Sequence, residues 1–294
     1  MGVPEYGGST NNDGYPAIAR IRNVNSAGRI SFQARLYLAN DEHCIDTWYT
    51  PQPVVPAVRV SWLVVEQGAY ELSLAKFMIG KGPINRIDNV ATNTDNFNKF
   101  VYPLGCTSPT EACAFDDAAA IGVVLQLQTV VYDRLLIPRG VSIQKRFSKV
   151  VLQPHDAMDS SYYEMPLFET LAYMAFDTSI NINCNENIGL EMRKFDSITY
   201  TKREIPFHYT YKSAPGLFGS LNSATSLADS TGLRAFDRTS RKVFLITQED
   251  QCYDEETIHT TPEVAAAIVI GERTVKSSCL ICKFAYNSST IVKE

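Results

Sequence analysis

The chain has 294 residues, 45% of them apolar and 20% charged, and a net charge of −5. That is enough apolar material to bury cores in two or three domains. The negative balance, with Arg238 to Lys242 as the only dense basic stretch, argues against a nucleic-acid or anionic-membrane partner, and no apolar run is long enough to span a bilayer.

Met1-Gly2-Val3-Pro4-Glu5-Tyr6 opens the chain without a basic or an apolar leader segment. Tyr6 also stands where a myristoylation signal needs Ser or Thr. The chain is therefore read either as cytosolic or as a trimmed secreted precursor. Tyr, Phe, Thr, Val and Ile are plentiful, a composition that suits half-buried strands.

Residues 29–38, Arg-Ile-Ser-Phe-Gln-Ala-Arg-Leu-Tyr-Leu, alternate polar and apolar as a half-exposed strand does. An acidic loop follows, from Leu38 through Asp41, Glu42, His43 and Cys44 to Asp46, and then the apolar strand Val60-Ser61-Trp62-Leu63-Val64-Val65-Glu66. Trp62, at the centre of that strand, is expected to pack in a core or an interface. Gly80-Lys81-Gly82 lacks the Walker spacing and is read as a hairpin turn. Cys106 and Cys113 bracket a polar loop of a size that a disulfide closes, and Asp116-Asp117 flanks the next strand, Val123 to Thr129.

The same sentence then recurs. Val141 to Leu152 alternates, His155, Asp156 and Asp159 form the acidic loop, and Glu169 to Phe176 is the apolar strand. Arg241 to Thr247, then Glu249, Asp250 and Asp254, then Glu263 to Ile270 make a third copy. A repeat of this kind fixes domain organisation before any single residue is interpreted. Its short turn-separated strands predict tandem antiparallel β-sandwiches, an all-β fold without βαβ units.

The copies are out of phase with the ends. Arg86-Ile87-Asp88-Asn89 resembles Lys194-Phe195-Asp196-Ser197, and residues 283–290 look like the opening of a further copy. Pro4 to Ser9 lines up with Pro215 to Ser220, midway through a repeat. The expected division is 1–75 as a repeat lacking its first strand, 76–182, 183–274, and 275–294 as a terminal donor strand. That strand, with Lys283, Phe284, Tyr286 and Ile291, is expected to fill the open edge of the first repeat, closing a ring within one chain or a filament between chains.

Seven cysteines, a single CxxC at Cys279 and Cys282, and a glycosylation acceptor at Asn287-Ser288-Ser289 favour an extracellular or cell-surface location. A lone CxxC is a weak zinc signal, so no metal site is assigned. The acidic loops also have oxygen ligands of the kind calcium takes, but no EF-hand spacing; no cofactor is assigned. Gly-x-Ser-x-Gly is absent and no triad is indicated, so the chain is not read as an enzyme.

Laid out in this way, the repeat resembles the H-type lectin domain of snail agglutinins and the discoidin C-terminal domain. The likeness lies in the alternating strand, the acidic or His-bearing loop and the closing Val60-Ser61-Trp62-Leu63-Val64-Val65 strand. It covers nearly the whole chain in three copies. It implies three small β-sandwiches, trimer-like assembly and binding of N-acetylgalactosamine-type sugars. The residues it implies at the sugar are His43, Asp46 and Trp48 in the first copy, His155, Asp159 and Tyr162 in the second, and Asp254 and His259 in the third. The plain alternative is that these are solvated loop residues. Two functions follow: an extracellular structural or adhesive module that self-associates through its incomplete ends, or a soluble glycan-binding lectin.

Overall fold

The computed structural model describes residues 3, 5–6, 17–25, 31–38, 58–72, 75–87, 97–101, 115, 120–131, 136–154, 164–178, 181–184, 187–225, 230–249, 258–274 and 285–291. They form an all-β protein whose sheets are almost wholly antiparallel, as the alternating segments predict. The first strands are β1 (Glu5–Tyr6), β2 (Ala17–Asn25), β3 (Ser31–Leu38) and β4 (Val58–Val64).

The middle of the chain supplies β5 (Gly68–Leu72), β6 (Ala75–Arg86), β7 (Asn98–Val101), β8 (Ile121–Leu127), β9 (Leu136–Ile143), β10 (Phe147–Pro154) and β11 (Glu164–Asp177). A sheet in the order β5-β6-β11-β8 packs on one in the order β7-β10-β9. The core between them takes Met78, Ile84, Phe100, Leu125, Leu127, Val150, Leu152 and Leu171, all buried. Although β5 lies before residue 76, it pairs with β6 across a two-residue connection, so it belongs with the strands that follow it.

The next segment supplies β12 (Asn181–Cys184), β13 (Ile188–Ile198), β14 (Arg203–Pro206), β15 (Gly216–Leu221), β16 (Thr231–Phe236), β17 (Lys242–Glu249) and β18 (Glu263–Glu272). The order β12-β13-β18-β15 faces β14-β17-β16, which is the same arrangement strand for strand. Phe195, Ile205, Leu217, Leu233, Leu245, Ala265, Ala267 and Val269 fill this second core.

The β14-β17-β16 sheet does not stop there. It continues through β1 and β4 to β19 (Ala285–Ile291). β1 runs parallel to β16 and antiparallel to β4, and β19 lies antiparallel to β4 over seven residue pairs. β4 thus sits between β19 and β1 as β11 sits between β6 and β8, and as β18 sits between β13 and β15. The β2–β3 ribbon covers this set, with the Phe32 ring edge-on to Trp62 at 5.8 Å.

The closing strands are apolar on both faces because each serves two cores. On β18, Ala265, Ala267 and Val269 point into the sandwich, while Ala266, Ile268 and Ile270 join Met174, Phe176, Val124, Met192 and Phe218 in a separate core between sheets. Leu63 and Val65 pack against that same core. A strand buried on both sides reads as a continuous apolar run, which is how residues 263–270 read.

Gly80-Lys81-Gly82 is not a hairpin turn. It lies within β6, paired with Leu171, Ala172 and Tyr173 of β11. A Cβ on Gly80 would overlap the Tyr173 ring, and one on Gly82 would crowd Phe100. The glycines make room for two large rings on one face of the sheet. Arg238 opens the basic stretch 238–242 but does not lie on the surface. It is buried, and its guanidinium is bonded to Glu5 at 2.6 Å.

Candidate functional site

Where the strand sets meet, buried polar groups take over from apolar ones. β8 is an edge strand of its own sheet, so its backbone groups need partners from elsewhere. Side chains of the β15 region provide them. Val123 N donates to Asn222 Oδ1 at 2.8 Å, and Leu125 N donates to Ser220 Oγ at 3.1 Å. In return Ser220 Oγ and Asn222 Nδ2 donate to Val123 O at 2.9 and 2.7 Å.

Arginine–glutamate pairs span these junctions. Arg20 on β2 meets Glu169 at the head of the apolar part of β11 at 2.7 Å, with both side chains fully buried. Arg20 also donates to Thr129 O at 2.8 Å, and Glu169 accepts from Thr129 Oγ1 at 2.5 Å and Val131 N at 3.0 Å. Arg139 on β9 meets Glu263 at the head of β18 in the same way, again with both side chains buried, and donates to Ser223 O at 3.0 Å. At the corresponding place on β16 stands Arg234. It is buried and donates to Gln248 Oε1 at 3.1 Å, as Arg139 donates to Gln153 Oε1 at 2.7 Å. The third junction is held by Arg238, which donates to Glu5 Oε2 at 2.6 Å, Pro215 O at 2.6 Å and Ser61 Oγ at 3.1 Å. One guanidinium there ties β16's end to β1, β4 and the approach to β15.

His259 joins the Arg139 site. Its Nδ1 lies 2.6 Å from Glu249 Oε1 and 3.0 Å from Thr231 Oγ1, and its Nε2 lies 3.3 Å from Glu263 Oε1. Burial alone would lower the imidazole pKa, but the two carboxylates outweigh it, and the pKa is raised. Burial would likewise raise the Glu263 pKa. The hydrogen bond from His259 and the charge of Arg139 reverse this and hold it at about 2. Arg139 and an imidazole whose protonated form is favoured are thus enclosed with two carboxylates, the kind of pairing that buried charges require.

This corrects the place expected for His259. It is not a loop residue open to a sugar, because the ring is buried and both nitrogens are engaged within the protein. His43, Asp46, Trp48, His155, Asp159, Tyr162 and Asp254 lie outside the described residues, as do Cys106, Cys113, Lys283 and Phe284. In chain order, the candidate sugar-binding residues fall between β3 and β4, between β10 and β11, and between β17 and β18. On β19, Tyr286, Asn287 and Ile291 pair with Leu63, Trp62 and Val58. Among the described residues no group of three or more His, Cys, Asp or Glu is arranged to hold a metal ion.

Arg20 and Arg139 do not stand out in the sequence, yet a signal for partners of this kind is there. Glu169 and Glu263 each head an otherwise apolar strand, and a charge at the start of a buried run calls for a partner.

No protein-family model matches the chain, and no curated protein or solved structure matches it either.

Proposed function

We propose that the chain is a non-enzymatic, lectin-like adhesive module of extracellular surfaces whose end strand completes its first sandwich. The observation that supports this is the pairing of β19 with β4, more than two hundred positions away in sequence. In that place β19 stands as β6 and β13 do beside β11 and β18. Without it, the β4 edge would present seven residues of unpaired backbone, a template for any other strand. Closure within one chain gives a ring of three strand sets. The same strand exchanged between chains would link them head to tail.

Light scattering on the intact chain and on a chain truncated after residue 278 tests this. The intact chain should have the 32.7 kDa mass of a monomer, and the truncated one should self-associate through β4. An intact chain that forms filaments lost on truncation would favour exchange between chains. Equal masses for both would refute a role of β19 in assembly.

The glycan-binding reading is favoured by one further observation, the recurrence in chain order of an acidic segment between β3 and β4, β10 and β11, and β17 and β18. Three weak sites carried on one chain would bind a multivalent glycan more tightly than any single site, provided that the glycan spans them. Glycan-array binding of N-acetylgalactosamine-type sugars that is lost in His43→Ala and Asp46→Ala is the expected result. A flat array would leave the structural role alone.

A further inference from the structure

A cavity of about 310 Å³ opens beside β13. Thr178, Asn181, Met192, Arg193, Pro206, Phe207 and His208 line it. We propose that this cavity is a second ligand site and that it takes a carboxylated sugar residue.

The site is built around a buried carboxylate. Glu191 is fully buried on β13 and accepts from His208 N at 2.8 Å, Tyr209 N at 3.0 Å and Tyr211 Oη at 2.9 Å. A buried charge is costly unless it is well hydrogen-bonded. Here its hydrogen bonds go to one surface loop, residues 207–211, and fix that loop against the sheet. Burial and the adjacent Glu191 raise the Tyr211 pKa, so the hydroxyl stays a donor. Phe207 packs edge-on to Tyr211 at 5.7 Å, and His208 edge-on to Tyr209 at 4.7 Å. The aromatic wall is therefore held in place before any ligand arrives, which lowers the entropy cost of binding.

The matching place in the other sandwich is different. Glu191 pairs with Val269 as Met78 pairs with Ala175, and Met78 is part of an apolar core. Where Arg193 pairs with Ala267, Gly80 pairs with Tyr173. One sandwich thus has a carboxylate and a guanidinium where the other has a methionine and a glycine.

The unused polar groups define the ligand. Arg193 Nη1 donates to Pro206 O and lies 4.0 Å from Glu191, and its guanidinium rests 5.1 Å from the centre of the Phe195 ring. Its remaining N–H groups have no partner among the described residues, and a guanidinium offers five donors in a planar fork suited to a carboxylate. The exposed Asn181 amide and the His208 imidazole add donors and acceptors for hydroxyl groups. Phe207, Pro206 and Met192 supply an apolar wall for the CH face of a ring. A polyhydroxylated ring bearing one carboxylate matches all three requirements, and the cavity is at the small end of the usual ligand-pocket range of about 300–1,000 Å³.

The inference is independent of sugar binding at the acidic connections. The intact chain titrated with glucuronate, followed by chemical-shift perturbation, should show saturable binding. Glucose, which lacks the carboxylate, should bind roughly tenfold or more weakly, the size of a lost charge-assisted hydrogen bond. Arg193→Gln and Asn181→Asp should each abolish the response. Asn181 is exposed, so the second variant tests the site without touching the core. Absence of saturation, equal binding of glucose, or glucuronate binding that survives both variants would overturn the proposal. Displacement by N-acetylgalactosamine with unchanged response in both variants would assign the sugar to the acidic connections and overturn it as well.

Discussion

Arg139 and Glu263 form a fully buried ion pair that joins the β9 of one sandwich to the β18 of the next. Each side chain has further partners: Gln153 and the Ser223 carbonyl for the arginine, and Ser223 Oγ and His259 for the glutamate. Such a pair is weak evidence of net stabilisation, but removing one member leaves an uncompensated charge in the interior. Arg139→Met should therefore cost about 3–5 kcal/mol in chemical denaturation. Replacing Arg139 and Glu263 together by apolar residues should cost much less than the sum. A small effect of the single substitution would show that the junction is hydrated.

The same cluster sets a pH dependence with two limbs. Glu263 has a depressed folded-state pKa of about 2, so its contribution is present above the ordinary carboxylate range and is lost as pH falls towards 2. His259 has a raised pKa, so its contribution is complete below the ordinary histidine value and is lost as pH rises through the raised one. Tm should peak at mildly acidic pH and decline on both sides. His259→Gln should flatten the alkaline limb and also shorten the acid limb, because His259 supplies part of what holds the Glu263 pKa down, as read by calorimetry across pH.

The edge of β8 is satisfied by side chains instead of a neighbouring strand. Asn222→Leu unpairs both Val123 N and one donor to Val123 O, and each orphaned buried group costs about 1–3 kcal/mol. The Val123 amide should lose protection in hydrogen exchange while amides of β10, in the facing sheet, keep theirs. Loss of protection throughout would instead mean that the sandwich itself had failed.

Gly80 lies under the Tyr173 ring. Gly80→Ala should displace that ring and cost about 1–3 kcal/mol, the usual penalty of overpacking. Combined with Tyr173→Ala, the two changes should be strongly non-additive, because the first does harm only through the second residue. Additive losses in Tm would show that the strand, and not the ring, carries the strain.

Strand content was legible because alternation and double-sided apolar runs report directly on burial. Arg29 to Leu38 and Glu263 to Ile270 were each read from the pattern, and β3 and β18 fall on them. Gly80-Lys81-Gly82 was misread because glycine signals both a turn and a close approach, and only the ring on the neighbouring strand distinguishes them. His259 was misread because a histidine near acids looks the same in a solvated loop as in a buried cluster. Its three main partners lie on β16, β17 and β18, and no local spacing reveals that. Glu191 was missed for a related reason. Met78 holds the matching position in the other sandwich, so the comparison between copies gave no hint of a charge there.

The β19–β4 pairing also governs the order of folding. Residues near 60 leave the ribosome long before residues near 290, so β4 has no β19 beside it while the two sandwiches of the middle strands are made. Its closing contact is among the most distant in the chain, and distant strand pairing is slow. During that interval β4 is an exposed, apolar edge. The middle sandwiches should therefore form first as stable cores, and the early strands should depend on them, or on a chaperone, until the last strand arrives.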